Sequence, residues 1–370
     1  MATTQDYIRD LTGLGYSFKY NEVTGDIEVN GKAIDDMLEA KIRTQMRDLR
    51  HKRMTEIADA WMTHAGNNCY HPVRDYFSRL QWDGGDHIGK LTDYFTDKHG
   101  VFPLYLRRWL IGAVAKAHTN SRNFMLVLDG VQYIGKSRFC RWLCPLPDYF
   151  MEGPLNTDDK DTWWRLTSTF VWELSELDAT TKRADRSALK DFISRQEVTM
   201  RRPYARHDTT RPALASLIGT INEEGPGFLN DPTGNTRFAV VNLLSIDFGY
   251  ENLDVDQVWA EAFVAWQSGE SWELTITERR RQEEINSEYE NEATLDGMIR
   301  RYYDLDPTAD VWTSGIEIIL ELETYGLREI QRASLMQLAM LMKKWGHERK
   351  RVKQVWSYRG VTRRAPGAVI

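Results

Sequence analysis

Eight residues near the middle of the chain have the spacing of a phosphate-binding loop. Residues 130–137 read GVQYIGKS, which matches the pattern G-x-x-x-x-G-K-[ST]. Glycines let backbone N–H groups of such a loop turn towards phosphate oxygens, and a following helix adds partial positive charge. We expect Lys136 to reach the outer phosphates of ATP and Ser137 to hold Mg²⁺. The alternative is a glycine-rich turn whose lysine is only solvated.

The residues on either side of the loop predict the elements that would position it. Residues 123–129 form a short apolar run typical of a buried strand, and residues 138–143 can form a helix before Pro145 ends it. Strand, loop and helix in this order is the context in which the motif binds nucleotide. Tyr133 occupies a position where many such loops have a small residue. The residues predicted to contact the ATP phosphates are Gly130, Gln132, Tyr133, Ile134, Gly135, Lys136, Ser137 and Arg138.

Hydrolysis also requires carboxylates beside the loop, to hold the Mg²⁺ shell and to orient water. Residues 169–172 predict a strand that ends in Glu173, and Glu176 follows three residues later. One glutamate would orient the waters of the metal and the other the attacking water, and the sequence leaves open which does which. We take Ser137 and Glu173 as the Mg²⁺ ligands. Surface acids at the start of a helix are the alternative.

Two further polar residues stand at the ends of predicted strands. Residues 214–221 predict a strand with Asn222 at its tip, where a polar side chain could sense the γ-phosphate. Arg237 lies just before another predicted strand, and a guanidinium suits the charge that develops on a transferring phosphoryl group. For Arg237 a surface ion pair is the alternative. The predicted catalytic residues are therefore Lys136, Glu173, Glu176, Asn222 and Arg237.

The elements around these residues predict an α/β fold. Strands alternate with helices over residues 121–245, and helical crossovers imply a largely parallel sheet. Residues 20–31 predict a small hairpin within a largely helical N-terminal part. Helices are also predicted over residues 37–60, 104–118, 253–267 and, as a solvated connector, 277–292. The predicted regions are a small N-terminal α+β region (1–60), a helical region (61–120), the P-loop core (121–270), a connector (271–292) and a C-terminal domain (293–370).

Composition indicates a soluble globular protein and does not by itself indicate nucleic-acid binding. Of the 370 residues, 42% are hydrophobic and 28% are charged, and the formal net charge is −6. No run of about 18 apolar residues could cross a membrane, and the first ten residues lack the apolar core of a signal peptide. The three cysteines form no C-x-x-C pair. We therefore expect a reducing cytoplasm.

Two segments are basic despite the negative net charge. Residues 197–211 predict a hairpin that carries five basic residues against one aspartate near its tip and second strand. Residues 343–364 contain nine lysines and arginines against one glutamate. Local charge matters more to a phosphate backbone than total charge does. Both segments are therefore candidate DNA-binding surfaces.

The ordered set of motifs resembles the virulence-associated protein E family of phage and mobile-element proteins. These proteins are related to superfamily 3 helicases, within the ring-forming AAA+ ATPases. The resemblance covers roughly residues 65–245. Besides the phosphate loop, the matching segments are YHPV at 70–73, WDG at 82–84, WELSEL at 172–177, LKDF at 189–192, RPY at 202–204, GTIN at 219–222 and TGNTRF at 233–238.

The resemblance implies an AAA+-like P-loop NTPase core with a catalytic site between the subunits of a homo-hexameric ring. Arg237 would enter from the neighbouring subunit as an arginine finger, and the other predicted catalytic residues would act in cis. Tyr133 replaces the usual glycine of the family, and Thr236 stands where an arginine often precedes Arg237. The hairpin at 197–211 would project into a central pore and grip one DNA strand. The DNA contacts in it would be Arg202, Tyr204, Arg206 and His207.

The C-terminal domain is predicted to be a small winged-helix-like α+β domain. Residues 316–322 and 334–345 predict two helices, and residues 347–364 alternate bulky with basic side chains. Lys350, Arg351 and Lys353 would contact DNA, including duplex DNA. The alternative is a small packing domain with a solvated basic strand pair.

Together these features predict an ATP- and Mg²⁺-dependent DNA helicase or translocase that moves on single-stranded DNA. It would act in the replication of a phage or mobile genetic element, in the cytoplasm of a bacterial host. The alternative is an ATP-regulated replication initiator with little or no helicase activity. A small-molecule kinase built on the same loop would leave the basic hairpin unexplained.

Overall fold

The computed structural model of the chain is a mixed α/β protein with parallel strands between helices. The described residues are 2–156, 159–175, 177, 183–201, 207–222, 229, 236–289, 295–324, 332–352 and 354–364. Their buried apolar side chains form three clusters, which define an N-terminal unit, a core and a C-terminal unit. None of the helices in these residues is long and apolar enough to cross a bilayer. The predicted α/β fold with a largely parallel sheet is confirmed.

The N-terminal unit packs helices against a small sheet. Its elements are α1 (Thr4–Gly13), β1 (Phe18–Asn21), β2 (Ile27–Val29), β3 (Lys32–Ala33), α2 (Asp36–Asp48), α3 (Met54–Asn67) and β4 (Cys69–Tyr70). The strand order is β3-β2-β1-β4, with β1 antiparallel to β2 and parallel to β4. The antiparallel pair confirms the hairpin predicted at residues 20–31.

The chain turns between α2 and α3, so the single helix predicted over residues 37–60 is wrong. Arg50 has a left-handed backbone with φ 64. The N–H of His51 donates to the carbonyl of Met46 at 3.0 Å, a bond that closes a helix end through a left-handed residue. The apolar spacing continues across this turn because both helices face the same cluster, where Met46 and Ile57 are fully buried.

The core is organised around a six-stranded sheet. Its elements are α4 (Pro72–Arg79), α5 (His87–Thr92), β5 (Phe95–Asp97), α6 (Phe102–Thr119), β6 (Met125–Asp129), α7 (Lys136–Leu143), β7 (Phe150–Glu152), α8 (Lys160–Ser168), β8 (Val171–Leu174), α9 (Arg183–Ser194), β9 (Glu197–Met200), β10 (Thr209–Pro212), β11 (Ser216–Ile221), β12 (Phe238–Ile246), α10 (Val255–Gln267) and α11 (Ile276–Ser287). The strand order is β5-β12-β6-β11-β8-β7. All neighbouring pairs are parallel except β12 and β5.

Strands β6 and β11 are buried along their whole length, as expected of strands covered on both faces. Helix α6 packs against this sheet, and the indole N–H of its Trp109 donates to the carbonyl of Leu217 on β11 at 3.0 Å. Trp259 of α10 is also fully buried. Its indole N–H donates to the carbonyl of Leu143, at the end of α7, at 2.8 Å. The first bond fixes α6 relative to the sheet, and the second fixes α10 relative to α7.

Helix α11 belongs to the core, although residues 277–292 were predicted to form a solvated connector. Gln282, Ile285 and Asn286 are buried on its inner face. The side-chain amides of Gln282 and Asn286 both donate to the carbonyl of Phe238, at 2.7 and 2.9 Å. Because the buried face of the helix is mostly polar and its outer face is charged, the sequence shows no apolar periodicity that would indicate burial.

The C-terminal unit has its own buried cluster. Its elements are α12 (Leu295–Tyr302), β13 (Tyr303–Leu305), β14 (Trp312–Ser314), α13 (Gly315–Thr324), α14 (Arg332–Lys344), β15 (Arg349–Val352), β16 (Val355–Arg359) and β17 (Val361–Arg363). One sheet has the order β14-β16-β15 and the other pairs β13 with β17. The helices predicted at 316–322 and 334–345 are confirmed, and the basic segment forms the antiparallel pair β15–β16.

A buried lysine on α6 leads to a prediction about stability. The ammonium of Lys116 donates to the carbonyl of Ala215 at 2.7 Å, and burial lowers its pKa from 10.5 to about 8. Between these values the unfolded chain binds more protons, so the free energy of unfolding rises with pH. We expect Lys116→Met to raise that free energy near pH 7 by about 1–3 kcal/mol and to flatten the rise.

Urea unfolding at about pH 7 and about pH 9.5 measures both effects. Lys90→Met is the control, because Lys90 is an exposed lysine of the same core. A Lys116→Met protein less stable than wild type near pH 7 would contradict the prediction.

Candidate functional site

The predicted phosphate loop connects the carboxyl end of β6 to the first residue of α7. A Cβ atom at Gly135 would lie 2.4 Å from the ring of Phe248, and one at Gly130 would lie 2.7 Å from the carbonyl oxygen of Leu243. Both positions therefore require glycine. Gly135 is the N-cap of α7, and no side chain of the described residues caps this helix. Its first-turn amides can therefore donate to a bound anion.

Tyr133 adopts the conformation that explains why glycine is usual at its position. Its φ is 66, in the left-handed region that glycine adopts at least cost. Its side chain is 91% exposed. The tyrosine therefore keeps the turn of the loop while placing its ring in solvent, away from the space that the loop encloses. Gln132 is also exposed, and Ile134 is half-buried.

Lys136 turns back into the loop and is buried. Its ammonium donates to the carbonyls of Gly130 at 2.6 Å and Val131 at 3.0 Å. It also donates to Oδ1 of Asn222 at 3.4 Å. Asn222 reaches this position because β11 lies directly beside β6 and both strands end at the same edge. A phosphate group would offer the ammonium stronger, charged acceptors than these neutral oxygens.

Glu173 is fully buried beside the start of α7. It is the third residue of β8, near the end of the strand that the sequence predicted there. Its Oε1 accepts from the hydroxyl of Ser137 at 2.6 Å and from that of Thr220 at 3.1 Å. Its Oε2 has no hydrogen-bond partner in the described part of the chain. Burial raises the pKa of Glu173, against the opposing effect of the Ser137 hydroxyl.

The environment of Glu173 suits a hard cation. A hydroxyl and a carboxylate converge there, and one buried carboxylate oxygen has no hydrogen-bond partner among the residues that the structure describes. Mg²⁺ prefers such oxygen ligands and usually keeps several of its waters. Ser137 and Glu173 therefore fit the Mg²⁺ ion that the sequence predicted at this edge of the sheet.

Two residues near the loop escaped the sequence analysis. Thr220 supports Glu173 from the neighbouring strand, and only the pairing of β11 with β8 brings the two together. Asp129, the last residue of β6, is buried and accepts from the Asn242 amide and the Tyr289 hydroxyl, both at 2.6 Å. Burial and the hydrogen bond to Asp129 raise the pKa of Tyr289. Asp129 precedes the phosphate loop directly, and that adjacency was the available signal.

Arg138, which was predicted to contact the phosphates, has its partners outside this cluster. The guanidinium of Arg138 pairs with the carboxylate of Glu251 and lies 4.7 Å from the centre of the Phe248 ring. It therefore points towards the segment after β12. Glu176 lies outside the described residues.

Arg237 lies at the amino ends of the parallel strands, whereas the phosphate loop follows their carboxyl ends. Its carbonyl accepts from the N–H of Met125, the first residue of β6, at 2.8 Å. Gly130 is five residues further along, or roughly 16 Å at the rise of a strand. The guanidinium of Arg237 donates to the hydroxyl of Ser194. Arg237 therefore cannot reach a phosphate bound at the loop of its own chain.

The predicted basic hairpin is formed by β9 and β10. Arg202, Tyr204 and Arg206 lie outside the described residues, while His207 is exposed. Arg211 is buried. It is therefore not a surface cation, and the basic patch predicted from the sequence is wrong at this residue. Its guanidinium donates to the carbonyls of Glu22, Val23 and Thr24 in the N-terminal hairpin turn.

The basic strands of the C-terminal unit carry tryptophans beside their cations. Arg349 lies 3.9 Å and Arg351 5.1 Å from the centre of the Trp356 ring. The ammonium of Lys350 lies 3.7 Å from the centre of the Trp312 ring. These three cations are exposed. Lys353 lies outside the described residues. The alternation of bulky and basic residues was the sequence signal for this surface.

Comparison with known proteins places these features in context. The sequence profile described as virulence-associated protein E-like domain matches residues 77–291. No curated protein matches the chain. The A-form apo structure of the NrS-1 C-terminal region (305–718) is similar, with a TM-score of 0.50 and 12% identity over 97% of this chain and 100% of that one. A second A-form apo structure of that region gives 0.50 and 12% over 92% and 86%. At this identity the similarity concerns the fold.

Proposed function

The chain belongs to the virulence-associated protein E-like domain family, and from this premise we propose an ATP- and Mg²⁺-dependent motor that moves on single-stranded DNA. Its role would be in the replication of a phage or mobile element. One observation carries the proposal: Lys136 of α7, Glu173 of β8 and Asn222, which directly follows β11, converge beside a phosphate-type loop. The core would then be an AAA+-like P-loop NTPase.

Each residue of this cluster has a distinct task. Lys136 would exchange the carbonyls of its own loop for oxygens of the outer phosphates. Asn222, already in contact with Lys136, would orient towards the same phosphate group. Ser137 and Glu173 would hold Mg²⁺, which when bound neutralises charge on the β- and γ-phosphate oxygens. Oε2 of Glu173, which has no partner within the described part of the chain, would accept a hydrogen bond from water in the site.

The position of Arg237 supports hydrolysis between two copies of the chain. Because it is roughly 16 Å from its own loop along β6, it could act only on nucleotide bound by a neighbour. Such a head-to-tail contact between identical chains closes into a ring when the rotation permits. A homo-hexamer is the expected assembly.

Two surfaces would contact DNA. The hairpin β9–β10 carries the exposed His207, with Arg202, Tyr204 and Arg206 adjacent to it in sequence. The C-terminal unit has the element order of a winged helix, because β14 lies between α12 and α13 and pairs with the hairpin β15–β16. Its cations over tryptophans provide charge for phosphates and rings for bases.

The test is ATP turnover with and without single-stranded DNA. We expect DNA to raise turnover severalfold in wild type. Arg206→Ala combined with His207→Ala should keep the basal rate but lose the stimulation and the unwinding of duplex. The matched control is Lys41→Ala with Lys52→Ala, two exposed cations of the N-terminal unit. DNA-dependent activity that is equal with ATP and with a non-hydrolysable analogue would instead favour a replication initiator.

A further inference from the structure

A cavity of about 470 Å³ lies at the edge of the sheet opposite the phosphate loop. It opens beside the first residues of β6 and β12, between the end of α9 and the start of α11. Three arginines line it, Arg122, Arg237 and Arg279, against one carboxylate, that of Glu273. The cavity is therefore positively charged within a chain of net charge −6.

The three guanidiniums differ in how far they are already satisfied. Arg279 donates to the carbonyl of Leu274 at 3.0 Å and lies 3.5 Å from the Glu273 carboxylate. Arg237 donates to a hydroxyl, which is a neutral acceptor. The Arg122 side chain is exposed, and its guanidinium has no hydrogen bond or ion pair with the described residues. Glu273 thus neutralises at most one of the three charges.

We propose that this cavity receives the triphosphate end of a nucleotide held by the phosphate loop of an adjoining copy, with Arg122 and Arg279 contacting it beside Arg237. This inference rests on the proposed function and adds two residues and a binding pocket to it. Guanidiniums suit this ligand because each can donate two hydrogen bonds to phosphate oxygens. The cavity is also large enough for a phosphate chain, within the usual range of ligand pockets.

The position of the cavity indicates whether the nucleotide it would contact is held by the same chain or by a neighbouring copy. The carboxyl edge of the sheet carries Lys136 and Glu173, whereas the cavity lies at the amino edge with Arg237. In a ring assembled head to tail with these two edges facing each other, the cavity of one copy would adjoin the phosphate loop of the next. Arg122 and Arg279 would then be supplied in trans.

A mixing experiment tests this arrangement. Arg122→Ala alone should lower ATP turnover on the order of tenfold or more, while nucleotide binding by the isolated subunit stays unchanged. Lys136→Ala has a defective loop but an intact arginine cavity. Mixed in equal amounts, the two proteins should regain turnover, because about a quarter of the interfaces in randomly mixed rings then join an intact loop to an intact cavity. Arg122→Lys should retain part of the activity.

Helix α11 provides a matched control. Arg279 and Arg280 are adjacent and both exposed, yet only Arg279 lines the cavity. Arg279→Ala should behave like Arg122→Ala in the mixture, and Arg280→Ala should behave like wild type. Wild-type turnover in Arg122→Ala, or a defect that mixing does not relieve, would overturn the inference while leaving the proposed function intact. A wild-type protein without ATPase activity would instead reject the proposed function.

Discussion

Lys136→Ala is expected to reduce ATP turnover by about a thousandfold and to abolish DNA unwinding. The ammonium of Lys136 is buried inside the loop within 3.4 Å of Asn222. There it would meet the charge of the transferring phosphoryl group, where a preorganised cation contributes several kcal/mol to lowering the barrier. Lys136 is the only lysine of residues 130–137, so no other lysine of the loop replaces it. Steady-state turnover and a strand-displacement assay measure the two losses.

The control for this prediction is Lys90→Ala, which removes an exposed lysine from the same core. It should leave both activities at the wild-type level. A thermal melt of Lys136→Ala should remain cooperative, because the lost hydrogen bonds go to loop carbonyls that water can reach after truncation. Normal unwinding by Lys136→Ala would remove the proposed function altogether.

Glu173→Gln is expected to bind ATP normally but to hydrolyse it about a hundredfold more slowly. Glutamine preserves the volume of this fully buried side chain and can still accept from Ser137 and Thr220. It removes the negative charge that would hold Mg²⁺ and orient water. Fluorescent-nucleotide binding and phosphate release separate binding from hydrolysis.

Glu152 offers a close control because it lies opposite Glu173 on the paired strand β7. Glu152 is exposed and pairs with Arg141 at 2.8 Å. Glu152→Gln should therefore retain normal turnover. Equal hydrolysis by Glu173→Gln and wild type would show that the buried carboxylate has no role in the reaction.

The sequence predicted the loop and the strands around it well, because their signals are local. Residues 124–128 are continuously apolar, and the strand that forms there is buried on both faces. Glycine spacing likewise identified positions that the packing of Phe248 and Leu243 does require to be glycine. Apolar periodicity also located α6 and α10 within a few residues.

The errors arose where distant contacts decide the outcome. Arg211 reads as one more cation of a basic hairpin, but carbonyls of the N-terminal turn almost two hundred residues away bury it. Helix α11 reads as solvated because its inner face is made of amides rather than apolar residues. The separation of Arg237 from the loop follows from strand direction, which residue types alone do not reveal. Contacts of this kind need the topology first.

The anchoring of Arg211 has a mechanical consequence. A strand of DNA pulling on the tip of the β9–β10 hairpin would load its base, where the guanidinium spans three carbonyls and lies 4.6 Å from the centre of the Trp164 ring. The force would pass into the turn between β1 and β2 and from there into the N-terminal unit. That unit would resist the force, and its stiffness would determine how far the DNA moves, rather than the hairpin bending back, for each ATP hydrolysed.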